Sequence, residues 1–385
     1  MRRPKTSLAI ALGATMVVAL ALMFATTSSA FASGWGWHAQ KTLFVQTNNT
    51  SANKIMVYDR AWDGTLTFAA SYATGGAGGT AAGATADPLA SQNSLVTTDH
   101  GRVLLAVNAG SNTVSLFRVR GDRLWLKQVI ASGGQFPVSI AVHRDLVYVL
   151  NAGLEGAVQG YWLGHDHLWP IWGSIRTLSL GNTNPPNYLH SPGQVGFTPD
   201  GHKLIVTTKA STGAIDVFRI RHSGRLSKMA VSTTSQTPVP FAFVFDPWGR
   251  LVVTEALNSF LSTYSVNPDN SLTAIGSTAD TQAAACWVSA ARGFYYVSNA
   301  GSGTVSSFTL NSSGVPVLVN ATAAAIGAGV TDSVATRDQR FLYVEGGGAG
   351  TISAFRVNHD GSLTLVQTVT GLPMPPEAVE GIALG

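Results

Sequence analysis

Few side chains in this sequence have the type and placement for chemistry. The carboxylates Glu255 and Glu345 and the amides Asn108, Asn151 and Asn299 each fall at or beside the end of a short β-branched or aromatic run. As oxygen donors they suit a hard cation such as Ca²⁺. As bases and hydrogen-bond partners they equally suit a small polar ligand. Lys209 adds a flexible point charge, without the planar fork of an arginine. His190 lies in the segment Leu180 to Pro192 (LGNTNPPNYLHSP), and His165-Asp166-His167 has the residue types of a metal site. A plainer reading stands beside each. Asn bonds its own backbone in turns and tolerates left-handed geometry. His190 reads as a solvated loop residue, and the His165–His167 hairpin as a turn between outer strands. No acidic loop of calcium type, Gly-rich phosphate loop or Gly-x-Ser-x-Gly elbow is present. The expectation is no metal and no cofactor.

The elements that must position these residues repeat. Phe294 to Phe308 (FYYVSNAGSGTVSSF) reads as two strands around a polar turn, the second alternating with period two. Aligning on the end of the first strand gives Thr47, Asn108, Asn151, Thr208, Glu255, Asn299 and Glu345. An aromatic follows each: Tyr58, Phe117, Tyr161, Phe218, Tyr264, Phe308 and Phe355. From Asn151 onward the period is about 44 to 57 residues, in the range of propeller blades. A short apolar segment leads each unit, as in Cys286-Trp287-Val288, and a fourth strand follows a turn such as Asp360-Gly361-Ser362. The spacing predicts an all-β chain: a seven-bladed β-propeller with four antiparallel strands per blade. The first unit has no leading segment, whereas Ala378 to Leu384 is a leading segment with no unit after it. The two ends are expected to complete one blade and close the ring.

Arg2, Arg3 and Lys5 precede an apolar run from Leu8 to Phe24 and a small-residue exit at Ala30-Phe31-Ala32. This pattern predicts a secretory signal peptide over residues 1–32 and one propeller domain over 33–385. The rival reading is an uncleaved anchor, for which the run is at the short limit. Cleavage would leave 21 Lys and Arg against 20 Asp and Glu, a net charge of +1. No basic cluster argues for nucleic acid. The expected mature protein is secreted, monomeric and free of the membrane. Cys286, the one cysteine, cannot form an internal disulfide and reads as a small core residue. Thr74 to Ala86 (TGGAGGTAAGATA) resembles a linker but falls between units, as a long loop on the face where the aligned strand ends emerge.

Val-x-Asn-Ala-Gly, Tyr-Val-Ser-Asn, Thr-Val-Ser-x-Phe and the Asp-Gly-Ser-Leu turn together resemble the lactonase-type propellers. These include 6-phosphogluconolactonase and carboxymuconate cyclase, with YVTN-repeat surface proteins as looser neighbours. The resemblance covers essentially the whole mature chain. It implies lactone chemistry at the channel mouth, with a carboxylate base and cationic donors for the oxyanion. Thr254-Glu255-Ala256-Leu257-Asn258 matches the family's Asn-Glu-Leu element and makes Glu255 the retained carboxylate. The family's Pro-Arg-His is Pro238-Val239-Pro240 here, so the Arg and His are missing. Its Asp-Leu-Gly is Thr208-Lys209-Ala210, and His190 stands a few residues out of register with the family's histidines.

Two functions follow. One is a binding propeller that takes a small polar ligand, sugar- or lactone-like, or a partner protein at the channel mouth, through Asn108, Asn151, Asn299 and Glu345. The other is a lactone hydrolase with Glu255 as general base and His190 and Lys209 in support. The lost Arg-His pair favours the first.

Overall fold

A computed structural model describes residues 41–98, 101–375 and 377–385. The expected leader, residues 1–32, lies outside them. Seven antiparallel sheets succeed one another along the chain. Blade 1 takes residues 42–73 with 382–384, blade 2 95–131, blade 3 137–177, blade 4 194–234, blade 5 240–279, blade 6 285–325 and blade 7 330–369. The leading segments are the innermost strands of blades 2 to 7, and each packs on the innermost strands of its neighbours around the ring.

Burial explains the two kinds of strand. Second strands such as Val103–Asn108, Leu146–Asn151 and Leu251–Glu255 are buried at every position, because both faces meet a neighbouring blade. Their residues form continuous apolar runs. Outer strands such as Leu66–Ala73 are mostly exposed, with burial at the end nearest the turn. Blade 3 departs from four strands. Its outer strand is split into Leu168–Pro170 and Arg176–Thr177, both paired with Ala157–Leu163. Pro170 has no N–H to continue the ladder, and Trp172-Gly173 bulge outward before pairing resumes.

The ends close the ring. Ile382–Leu384 pairs with Thr42–Gln46 in the register Leu43↔Leu384, Phe44↔Ala383 and Val45↔Ile382. The seal is close: a Cβ on Gly381, at φ +90°, would lie 2.1 Å from the Ser94 hydroxyl of the next blade.

Candidate functional site at the propeller axis

The axis is filled by the chain itself. Between blades 1 and 2, Asp87-Pro88-Leu89-Ala90-Ser91-Gln92 forms a compact turn organised by the first side chain. The Asp87 carboxylate accepts from the amides of Leu89 (2.9 Å), Ala90 (2.7 Å) and Ser91 (3.0 Å). Asp favours such turns because its short side chain reaches the amides two to four residues on. The Ser91 hydroxyl donates to Val138 O of blade 3, and the Trp287 indole of blade 6 donates to Ser91 O. Gln92 makes a two-way amide pair with Val288 of blade 6, at 3.0 and 3.1 Å. Its own backbone bonds Gly193 beside blade 4 and the Ser139 hydroxyl of blade 3. The segment is a plug that ties opposite sides of the ring together.

Lys209 meets this plug from blade 4. It follows the strand Lys203–Thr207, at φ +49°, and is almost fully buried. Its Nζ donates to Ala90 O (2.6 Å) and Tyr188 O (2.5 Å) and lies 5.0 Å from the Phe241 ring centre. Burial pulls its pKa down to about 7, against the pull of the Asp87 charge. Tyr188 belongs to the 180–192 loop, which covers the site together with the 74–86 loop. The two bridge at Ala82 and Asn187, with Ala82 N donating to Pro186 O and Tyr188 N to Ala82 O.

Asp332, Glu345 and Glu380 complete the cluster, all buried. Burial raises Asp332 to about 8 and holds Glu345 and Glu380 well above the usual carboxylate range, with mutual repulsion adding to it. Neither oxygen of Glu345 or of Glu380 makes a hydrogen bond of ordinary geometry with a described residue. The Cys286 thiol nearby is pushed up to about 12 by burial, which leaves it inert. Among the described residues, no group of three or more His, Cys, Asp or Glu is arranged to hold a metal ion.

Strand register explains why Glu345 joins this cluster and Glu255 does not. Asn108, Asn299 and Glu255 face partners five residues on: Thr113, Thr304 and Phe260. In blade 7 the residue with that relation is Gly346, paired with Thr351. Glu345 is therefore one step out of the alignment, and one step turns a strand side chain to the opposite face. It occupies the place of Thr254, whose hydroxyl reaches Cys286 O in the next blade.

The other sequence candidates hold the blades together. Glu255 is fully buried and its carboxylate accepts five hydrogen bonds. They come from Gln236 N (3.1 Å), Thr237 N (2.9 Å), Thr237 Oγ1 (2.6 Å), Ser262 Oγ (2.6 Å) and the Tyr264 hydroxyl (2.5 Å). Asn108 donates to Ser115 Oγ and Asn299 to Ser306 Oγ, the same seven-residue reach as Glu255 to Ser262. Asn151 donates to Ser132 O. All three amides are buried. His190 is exposed on the covering loop. His165 and His167 lie in a turn between outer strands of blade 3, where Asp166 pairs with Arg118 and Lys127. Of the residues singled out from sequence, only Lys209 and Glu345 come together at the axis. Asp332 and Glu380 lie in the leading segments of blades 7 and 1 but were not singled out, and Asp87 lies outside the repeat, where the Asp-Pro-Leu-Ala-Ser spacing was the one local sign of the turn.

The cluster gives a pH signature. A raised folded-state pKa means the native state keeps a proton that the unfolded chain loses above about pH 4. The stability of the Asp332 proton is thus fully present below that pH and lost as pH rises toward 8. Asp332→Asn keeps the acceptor for Ser333 N and removes the titration. Its stabilising effect should grow by at most about 1.4 kcal/mol per pH unit between pH 4 and 8, then level off. Urea unfolding across that range checks this; a gain independent of pH would refute it.

Comparison with known proteins is consistent with this architecture. No protein-family model matches the chain, and no curated protein does. Among solved structures, a protein from Lactobacillus plantarum superposes with a TM-score of 0.70 at 20% identity, over 89% of this chain and 98% of that one. A putative 6-phosphogluconolactonase from Bacteroides fragilis gives 0.70 at 16% identity, over 89% and 97%. The periplasmic gluconolactonase of Pseudomonas aeruginosa gives 0.67 at 17% identity, over 86% and 97%. The chain has the seven-bladed fold of these lactonase-like propellers.

Proposed function

We propose that this chain is an extracytoplasmic, lactonase-like propeller that works by binding, not by hydrolysis. Its ligand is small and polar, sugar- or lactone-like, and is taken at the channel mouth over the paired 74–86 and 180–192 loops. In this reading the mature protein starts at about Ser33 and acts as a soluble monomer without nucleic acid. One observation carries the choice of binding. The cation that stands in for the family's missing pair, Lys209, already donates to two carbonyls of the chain itself, one in the plug and one in the covering loop. The family's carboxylate position, Glu255, has no free acceptor to take a proton from water.

A lactone hydrolase is the second reading, and a specific feature favours it. An amine with a pKa of about 7 beside a carboxylate is the kind of acid–base pair that ester hydrolysis uses. A panel of aldonolactones, assayed for both hydrolysis and thermal shift on wild type, Glu255→Gln and Tyr188→Ala, separates the two. Binding predicts no hydrolysis above buffer in any of them, and a thermal shift reduced in Tyr188→Ala. Wild-type hydrolysis that falls about 10²–10⁴-fold in Glu255→Gln would establish the hydrolase instead. Neither shift nor hydrolysis with any lactone would reject both.

A further inference from the structure

A concentration of positive charge lies at the opposite ends of the strands from the plug. The strand Lys203–Thr207 makes the separation plain, since Lys203 starts it in this region and Lys209 follows its far end at the axis. Bottom-face loops of blades 3, 4 and 5 enclose an open cleft of about 910 Å³. Arg144, Lys203, Arg219 and Arg221 line it, against the two carboxylates Asp145 and Asp200. Arg144, Arg219 and Arg221 are exposed, and their guanidinium groups make no ion pair with any described residue. His202 and His222 stand on the same walls. Asp200 is already engaged by the Thr198 hydroxyl and the His202 amide, so it offsets the cations only in part.

One wall is aromatic. The Trp162 indole is 40% exposed and packs edge-on to Gly224, where a Cβ would come within 2.8 Å of the ring. That glycine, at φ +70°, lets the Arg221–Arg225 turn pass close to the edge of the indole. The cleft thus offers guanidinium forks beside an aromatic face. Guanidinium recognises carboxylate and sulfate through paired N–H donors. An indole face suits the C–H face of a sugar ring.

We propose that this cleft is a binding site for an acidic oligosaccharide, one whose rings carry carboxylate or sulfate groups. The volume exceeds what a single inorganic anion fills and falls within the range of ligand pockets. A nucleic acid would need a basic stripe along an extended path. Here the cations converge on one cleft, on a body whose overall charge after leader removal is close to zero. The site is independent of the channel-mouth reading, because it uses none of the same residues and opens on the other face.

The test measures binding by calorimetry at low and at physiological salt. The probes are a heparin hexasaccharide, a hexagalacturonate, maltohexaose and inorganic sulfate. The proposal expects at least one acidic hexasaccharide to bind, more weakly at higher salt. Maltohexaose and sulfate at equal concentration should not bind. Arg219→Ala/Arg221→Ala should weaken the acidic ligand tenfold or more with melting unchanged, as expected for exposed side chains. Arg144→Glu, on a different loop, should do the same and covers the case in which the double variant fails to fold. The proposal falls if neither acidic hexasaccharide binds, if the variants bind as wild type does, or if sulfate competes mole for mole.

Discussion

Lys209→Met should cost on the order of 2–6 kcal/mol of stability, because two buried carbonyls each lose their donor at about 1–3 kcal/mol. Three groups lose their partner at once. Ala90 O and Tyr188 O are left without a donor inside the fold, and Asp87 loses the cation whose field opposes its burial. This one ammonium group joins the plug to the covering loop, so protease sensitivity should appear first at residues 180–192. Combining Lys209→Met with Asp87→Asn should recover part of the loss, because the uncompensated carboxylate then disappears. The pH dependence has a definite sign. A lysine whose folded pKa is depressed to about 7 releases its proton earlier in the native state than in the unfolded chain. Its contribution is most favourable above the unfolded value of about 10.5 and declines as pH falls toward 7. Urea unfolding at pH 6 and pH 9 measures both effects. A variant that unfolds with the wild-type midpoint at both pH values would remove Lys209 from the stabilising core.

Deleting residues 377–385 is expected to be at least as damaging. The segment supplies the innermost strand of blade 1 and buries Val379, Ile382 and Leu384 completely or nearly so. At about 1.5–3 kcal/mol for each aliphatic side chain, their exposure alone amounts to roughly 5–9 kcal/mol. The deletion also uncovers the edge of Thr42–Gln46, a fully buried strand with unpaired backbone groups, which invites pairing with another chain. Loss of cooperative unfolding and a shift to oligomers in size-exclusion chromatography are the expected results. A truncated monomer that melts within a degree or two of the full chain would show that the ring does not depend on this closure.

The blade count, the strand order and the closing strand were all legible in the sequence, because each rests on a local pattern repeated seven times. Period-two alternation and aromatic spacing mark a blade wherever it occurs. The site was legible only where a residue sat on that repeat. Lys209 was found because it follows the aligned strand end Thr208 and falls on the family's Asp-Leu-Gly element, whereas Asp87 lies between repeats and meets its neighbours at the axis only in the folded ring. Glu345 was found at the correct strand but assigned the wrong face. Nothing in Phe341-Leu-Tyr-Val-Glu-Gly says whether Glu or Gly ends the pairing, and a single step reverses the side chain. Glu255 carried the family's motif and the family's position, yet its five donors come from Gln236, Thr237, Ser262 and Tyr264, and their convergence is a property of the folded blade. Sequence spacing can place a carboxylate at a strand end; it cannot count the hydrogen bonds already waiting there.

The plug has a consequence for the order in which the molecule can be made. Gln92 emerges from the ribosome long before Val288, its partner across the axis, and the first blade waits for Leu384. Local hairpins can form during synthesis, but the ring has no complete core until its final residues are available. Such distant pairings make folding slow, since the closure entropy is spent before the contacts that offset it exist. Throughout that interval the Thr42–Gln46 edge stays open and prone to wrong pairing. A nascent chain held just short of Glu380 should therefore remain protease-sensitive throughout, and should gain resistance in one step when the last strand is released.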